Sequence, residues 1–215
     1  ILGASFLVLP GLPKEWNPNA FGEFGIWELS AMMASELCLG ITIAVMSRIM
    51  METVVLGGHL MDRDMGFAMA SIMDPGAEGQ RTVISLIFLN VLLLIFVIID
   101  AHHDFLRIAL ISFDTIGPGE FVMNDTVNNT IIDFTANMFL VGFKISLPIF
   151  CVILIINIGM AFMAKFGQEF EVMMLSFPVR LGLGLFTVVM LLPIIIQVFT
   201  SLIDDFLFNL LELLT

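Results

Sequence analysis

The sequence predicts an all-α membrane protein built of long, kinked helical hairpins with one short re-entrant segment, and three observations carry that expectation. The chain is 59% hydrophobic and only 13% charged, with a mean hydropathy of +1.06; soluble domains carry about 25% charged residues. Three runs hold no charge at all: Thr82–Ile99, Ile145–Ala164 and Leu181–Ile203, of 18, 20 and 23 residues. A membrane-crossing helix needs roughly 20 predominantly apolar residues. Finally, "HLMDRDMGFAMASIMDPGAEGQR", residues 59–81, places Met61, Met65, Met69 and Met73 at every fourth position and then stops at Asp74-Pro75-Gly76.

Taken in order, the elements start with "ILGASFLVLPGLP", which reads as the end of a hydrophobic helix. Ile1 is not a start methionine, so a preceding N-terminal piece is expected. "PGLPKEWNPNAFGEFG", residues 10–25, is a loop, because its prolines, glycines and asparagines cannot sustain a helix. Trp16 and Trp27 flank the next helix as interfacial aromatics do. That helix is expected over 29–57, ending at Gly57-Gly58. It carries Arg48 and Glu52, four apart and able to pair on one face. It also carries Glu36, which has no partner within a turn. An intramembrane carboxylate faces protein or water, and an inter-subunit hydrogen bond is the preferred reading of Glu36 over an ion relay.

A helix over 82–99 follows. "DAHHDFLRIALISFDTIGPGE" reads as a turn, a short amphipathic helix and a Gly-Pro-Gly break, and "FVMNDTVNNT" as a polar loop. A long helix over 135–164 contains Lys144 and the kinking Pro148. The last helices are expected over 168–176 and 178–213, with Pro178 in a first-turn position. Arg63 and Arg81 flank the methionine ladder, and Lys165 and Arg180 flank "FGQEFEVMMLSFPV". Basic residues mark the cytoplasmic side, so both turns are expected there, with Lys165, Gln168, Glu169 and Arg180 in a cytoplasmic-side loop.

Composition and motifs exclude several functions. The net charge of −12 argues against a nucleic-acid surface, which needs clustered Lys and Arg. Cys38 and Cys151 lie inside apolar segments and read as small hydrophobes. There is no G-x-S-x-G elbow and no phosphate loop. Catalytic residues and cofactors are therefore expected to be absent. "DAHHD", Asp100–Asp104, invites a metal reading, but His102 and His103 are adjacent, point to different faces of a helix, and have only His59 elsewhere to join them. No metal is expected.

The methionine ladder leaves two readings open. A helix over 61–73 would be about 20 Å long against a hydrocarbon core of about 30 Å, so it cannot span. The Asp-Pro-Gly stop ends it sharply, and irregular backbone at membrane depth survives only inside protein or against a water-filled cavity. Methionine is deformable enough either to seal a conduit or to fill gaps between helices.

In four stretches the chain resembles the FliR family, the flagellar export-gate proteins with SctT-type relatives in virulence type III secretion. These are "ELCLG" (Glu36–Gly40), "GGHLMDRDMGFAMASIMDPGAEGQ" (Gly57–Gln80), "HHDFLRIALISFDTIGPG" (His102–Gly119) and "LPIFCVILIINIGMAFMAKFGQEFEVMMLSFP" (Leu147–Pro178). The resemblance departs where Asp62 and Asp64 stand in place of uncharged residues and where Gly167-Gln168 stands in place of Pro-Gln. "QEFEVMMLSFPVR" resembles instead the loop of FliQ, a sister protein.

The resemblance implies a FliP-like half over 1–135, including a plug segment at 61–81, followed by a FliQ-like hairpin over 136–215. It implies assembly with FliP-like and FliQ-like membrane subunits and a FlhB-like switch protein, contact with membrane lipid, and passage of unfolded export substrates through the bacterial inner membrane at the flagellar basal body. Part of such an assembly is held above the bilayer by neighbouring subunits. The plug would comprise Met65, Gly66, Phe67, Met69, Ile72, Met73, Asp74, Pro75 and Gly76, and Glu36, Arg48, Glu52 and Lys144 would make inter-helix polar contacts. The alternative is a small-solute or ion transporter, which predicts a second interrupted helix, with Lys144–Pro148 its only candidate.

Overall fold

A computed structural model describes residues 25–67, 82–117, 119, 121–166 and 172–214 of the chain. Every regular element among them is helical. In chain order these are α1 (Ile26–Met65), α2 (Val83–Ile98), α3 (Ala101–Thr115), α4 (Asp125–Phe166) and α5 (Val172–Leu214). Helices α1, α4 and α5 are each long and apolar enough to cross a membrane. The bent pair α2 and α3 makes a fourth candidate. No more than 28% of any of the three long helices' apolar windows is buried inside the chain. Lipid or neighbouring subunits must cover the rest, because apolar surface is not left in water on this scale.

The helix ends follow local chemistry. At the start of α1, Glu28 reaches back to accept the Gly25 N–H at 3.1 Å, half of a capping box. At its end, Phe67 N–H donates to the Asp62 carbonyl at 3.0 Å and Gly66 N–H to the Arg63 carbonyl at 3.2 Å. Gly66 has a φ of +89°. This is a Schellman motif, whose left-handed residue only glycine adopts without strain. Asn124 caps α4 by accepting the Val127 N–H at 2.9 Å.

Three element boundaries differ from the sequence expectation. Helix α1 runs through Gly57-Gly58 instead of stopping there, because these glycines serve close helix contacts described below. Helix α4 begins at Asp125, taking in "DTVNNT" once Asn124 has capped it. Helix α5 is continuous from Val172, with Pro178 and Pro193 inside it, so Pro178 is not a first-turn residue. Packing of long apolar faces outweighs the loss of one backbone hydrogen bond at each proline.

The chain packs as two compact units, one of residues 1–49, 96–136 and 203–215, the other of residues 50–95 and 137–202. Each draws on both sides of residue 135. The first is centred on Phe206, which stacks on Phe105 at 6.2 Å and meets Phe134 at 6.3 Å. In the second, α2 buries Ile84, Phe88, Leu92 and Ile95, a stripe at helical spacing. Phe88 meets Phe199 of α5 edge-to-face at 5.7 Å.

Candidate functional site

The residues that flank positions 68–81 form the most closely specified site among the described residues, all within the second unit. Asp62, on the last turn of α1, is fully buried. Its carboxylate accepts the Ile84 N–H at 3.0 Å and the Ser85 N–H at 3.4 Å. Those are among the first N–H groups of α2, which have no intrahelical partner. An anionic side chain there satisfies the donors and complements the positive end of the helix dipole. Asp62 therefore caps a helix that begins 21 residues after it in sequence.

Neighbouring side chains complete the clasp. His59 Nδ1 lies 3.1 Å from Thr82 Oγ1. The Thr82 hydroxyl donates to Ser85 Oγ at 3.0 Å, and the Ser85 hydroxyl donates to the Thr82 carbonyl at 2.7 Å. Gly58 makes the approach possible: a Cβ there would collide with the Cα, backbone N and Cβ of Ser85. The chain thus leaves α1 and returns to α2 at one point.

The depth of that point follows from how α1 packs in this unit. Gly142 of α4 lies against the Thr53 carbonyl and Gly57 against the Gly142 carbonyl and Ile145, so α1 and α4 run parallel in close contact. Further along, Leu60, Arg63 and Asp64 share a hollow of about 360 Å³ with Phe143, Ser146, Leu147, Phe150 and Cys151. Met65 is fully buried, and its side chain occupies the space a Cβ would need at Gly184 of α5. Gly66 faces the ring of Phe177. Helix α4 continues from the level of Cys151 to Phe166, roughly 22 Å at 1.5 Å per residue. The end of α1 is therefore recessed along an apolar helix, level with the charge-free run 145–164.

The other predicted site residues are distributed as follows. Met65, Gly66 and Phe67 lie at the recessed end of α1; Met69, Ile72, Met73, Asp74, Pro75 and Gly76 lie outside the described residues, as do Gln168 and Glu169. Glu36 has a partner that sequence spacing could not show: the Gly119 N–H donates to its Oε1 at 3.0 Å, across 83 residues. Gly119 has a φ of +85° and sits so close to Met32 that a Cβ would meet its side chain. Gly119 thus docks on α1. Arg48 and Glu52 are both engaged in interactions within the chain. Lys144 is exposed on α4 and makes no hydrogen bond or ion pair among the described residues; a hollow of about 130 Å³ beside it is lined by Pro148, Leu191 and Ile195 among others. Lys165 is exposed, and the half-buried Arg180 has an Nε without a hydrogen-bond partner among the described residues.

Helix α4 is unbroken through Lys144 and Pro148, so the second interrupted helix that a transporter reading requires is not found there. At the start of α3 the structure differs from the ideal-helix expectation for "DAHHD". The rings of His102 and His103 lie 4.1 Å apart.

Comparison with known proteins places the chain as follows. The family model described as "Bacterial export proteins, family 1" matches residues 2–206. The chain is 25% identical over 205 residues to the flagellar biosynthetic protein FliR of Buchnera aphidicola subsp. Acyrthosiphon pisum (strain APS), covering 95% of this chain and 77% of the relative. It is 22% identical over 207 residues to FliR of Escherichia coli (strain K12), covering 96% and 77%. It is 24% identical over 162 residues to the Yop proteins translocation protein T of Yersinia pestis, covering 74% and 61%.

Proposed function

The chain belongs to the bacterial export proteins, family 1, and from that membership we propose that it lines and plugs the conduit through which unfolded flagellar or secreted proteins leave the cell. Membership makes it a helical membrane subunit of the flagellar or type III secretion export apparatus, and the family is not a family of enzymes.

The observation that carries the plug reading is the recessed clasp. The chain departs from α1 at Gly66 and rejoins α2 at Thr82, both held at one point well short of the end of α4. The two flanks of the methionine stretch, the last turns of α1 and the first turn of α2, are joined there. Deformable methionines tethered beside an apolar conduit would seal it by packing and dewetting. Met65, buried against Gly184, is the root of the plug. Gly66 and Gly76 would give the backbone freedom, and Pro75 the break in helical structure, that let the segment swing aside for a substrate.

FliP-like and FliQ-like subunits would cover the apolar faces that the chain leaves exposed, and a FlhB-like protein would join them in the inner membrane at the basal body. Lys144, which makes no hydrogen bond or ion pair among the described residues, fits a contact with such a neighbour, because a cation at membrane depth is costly without a partner. Glu36, Arg48 and Glu52 serve the chain's own helix contacts. Lys165, Gln168, Glu169 and Arg180 belong to the cytoplasmic side.

The test is to delete Met65–Met73, or replace its methionines by glycine, and measure ion leak through membranes whose export subunits still co-purify. Increased leak is expected. Membranes that stay tight around an intact complex would refute the plug.

A further inference from the structure

The first unit carries a cluster of metal-ligating side chains with no part in the export reading. A carboxylate oxygen of Asp100 and one nitrogen each of His102 and His103 all lie within 4.8 Å of one another. From this convergence we propose that the start of α3 binds one divalent transition cation of the zinc class through Asp100, His102 and His103.

The backbone at the start of α3 places Asp100 beside the two histidines. Asp100 adopts a left-handed conformation, φ 58° and ψ 19°, which is uncommon for any residue but glycine or asparagine-like side chains. In the N-cap position its carboxylate would ordinarily accept a backbone N–H of the first turn, but it makes no such bond. Instead its Oδ1 lies 3.5 Å from His103 Nδ1. The imidazoles of His102 and His103 are inclined at 40° with centroids 4.1 Å apart. His102 Nδ1 is enclosed and has no hydrogen-bond partner among the described residues, which is costly for a polar atom.

Two imidazoles and one carboxylate are the donor set that borderline cations prefer over magnesium or calcium. Atoms coordinated to a tetrahedral zinc at about 2.0–2.1 Å stand about 3.3 Å apart. Rotation of the exposed His103 ring and Asp100 carboxylate would bring the three together, leaving a position for water. The helix dipole opposes a cation at this end. The acidity of the unit counters it: its only basic residues are Lys14, Arg48 and Arg107, against most of the chain's 20 acidic residues. Such a field concentrates cations at the site.

The experiment is direct because the chain has only three histidines. The full chain, purified in mild detergent without a histidine tag and stripped with chelator, is titrated calorimetrically with Zn2+ and, for comparison, Mg2+. One zinc per chain is expected, with no magnesium uptake. His102→Ala and His103→Ala should each weaken zinc binding by at least about 10-fold, Asp100→Asn by a similar factor, and His59→Ala not at all. Copper bound to the unmodified chain should show hyperfine coupling to two imidazole nitrogens by electron paramagnetic resonance, a readout independent of how the variants fold. Absence of zinc binding, binding undiminished in the double histidine variant, or a copper spectrum without two nitrogens would overturn the site.

Discussion

The Asp62 carboxylate accepts the Ile84 N–H at 3.0 Å, joining the last turn of one helix to the first turn of the next across 22 residues of sequence. Asp62 stands where relatives were expected to carry an uncharged residue. It supplies what a buried helix start requires, an acceptor for N–H groups that have no other partner.

Removing that acceptor should loosen both helix ends. Asp62→Ala leaves the Ile84 and Ser85 N–H groups buried and unpaired, at a cost of about 1–3 kcal/mol. Asp62→Asn keeps one acceptor oxygen and loses the charge, so it should cost less. Thermal unfolding of the purified chain in detergent should rank wild type above Asn above Ala. Equal midpoints for wild type and Ala would mean that the cap contributes nothing.

Gly58 should tolerate no side chain, because the Ser85 backbone fills the space a Cβ would need. Gly58→Ala is expected to destabilise the chain by about 1–3 kcal/mol, as overpacking does. Gly40 is the internal control, with nothing within 4 Å of its Cβ position. Gly40→Ala should be neutral or stabilising by up to about 1 kcal/mol, from helix propensity alone. Parallel melting curves of the two variants check the contrast.

The end of α1 depends on the left-handed backbone of Gly66. Gly66→Asn should cost little, since asparagine visits that region, whereas Gly66→Ala should cost about 1 kcal/mol or more. A Cβ would meet the Phe177 ring at 3.3 Å in both variants, so the difference between them reports the backbone preference. If the root of the plug is set here, ion leak should follow the same order. A leak that ignores the order would separate helix termination from sealing.

Glu36 distinguishes a structural carboxylate from a proton or ion relay. Its Oε1 accepts the Gly119 N–H, and glutamine can do the same. Glu36→Gln should therefore preserve assembly and export, while Glu36→Ala should impair both. Loss of export in the Gln variant, with assembly retained, would favour a relay.

Much of this molecule is legible in the residues taken alone. The charge-free runs located α2 and the apolar parts of α4 and α5, because a stretch without charge long enough to cross a bilayer has few other uses. The FliR-like motifs led to the family that the whole-chain match establishes. Gly66 has a φ of +89° and ends a helix, a local role open to glycine alone without strain. Glycine, however, carries two meanings that sequence cannot separate. Gly57-Gly58 reads as a helix stop, but here the pair admits the α4 and α2 backbones to close contact while the helix continues.

The contacts that build the site depend on distances between segments far apart in the chain. Asp62 and Ile84, Glu36 and Gly119, and Met65 and Gly184 follow no local period, so no spacing rule reveals them. The convergence of Asp100 on His102 and His103 depends on the left-handed backbone of Asp100 and on side-chain rotation, neither of which residue spacing reveals. The sequence by itself determined an oily, all-helical chain of the export family, because hydropathy and helix length answer to the solvent the chain must meet. Tertiary structure alone decided where α1 stops against α4, and that Asp62 ties the start of α2 to that point. A buried N–H takes the nearest acceptor in space, whatever its place in the chain.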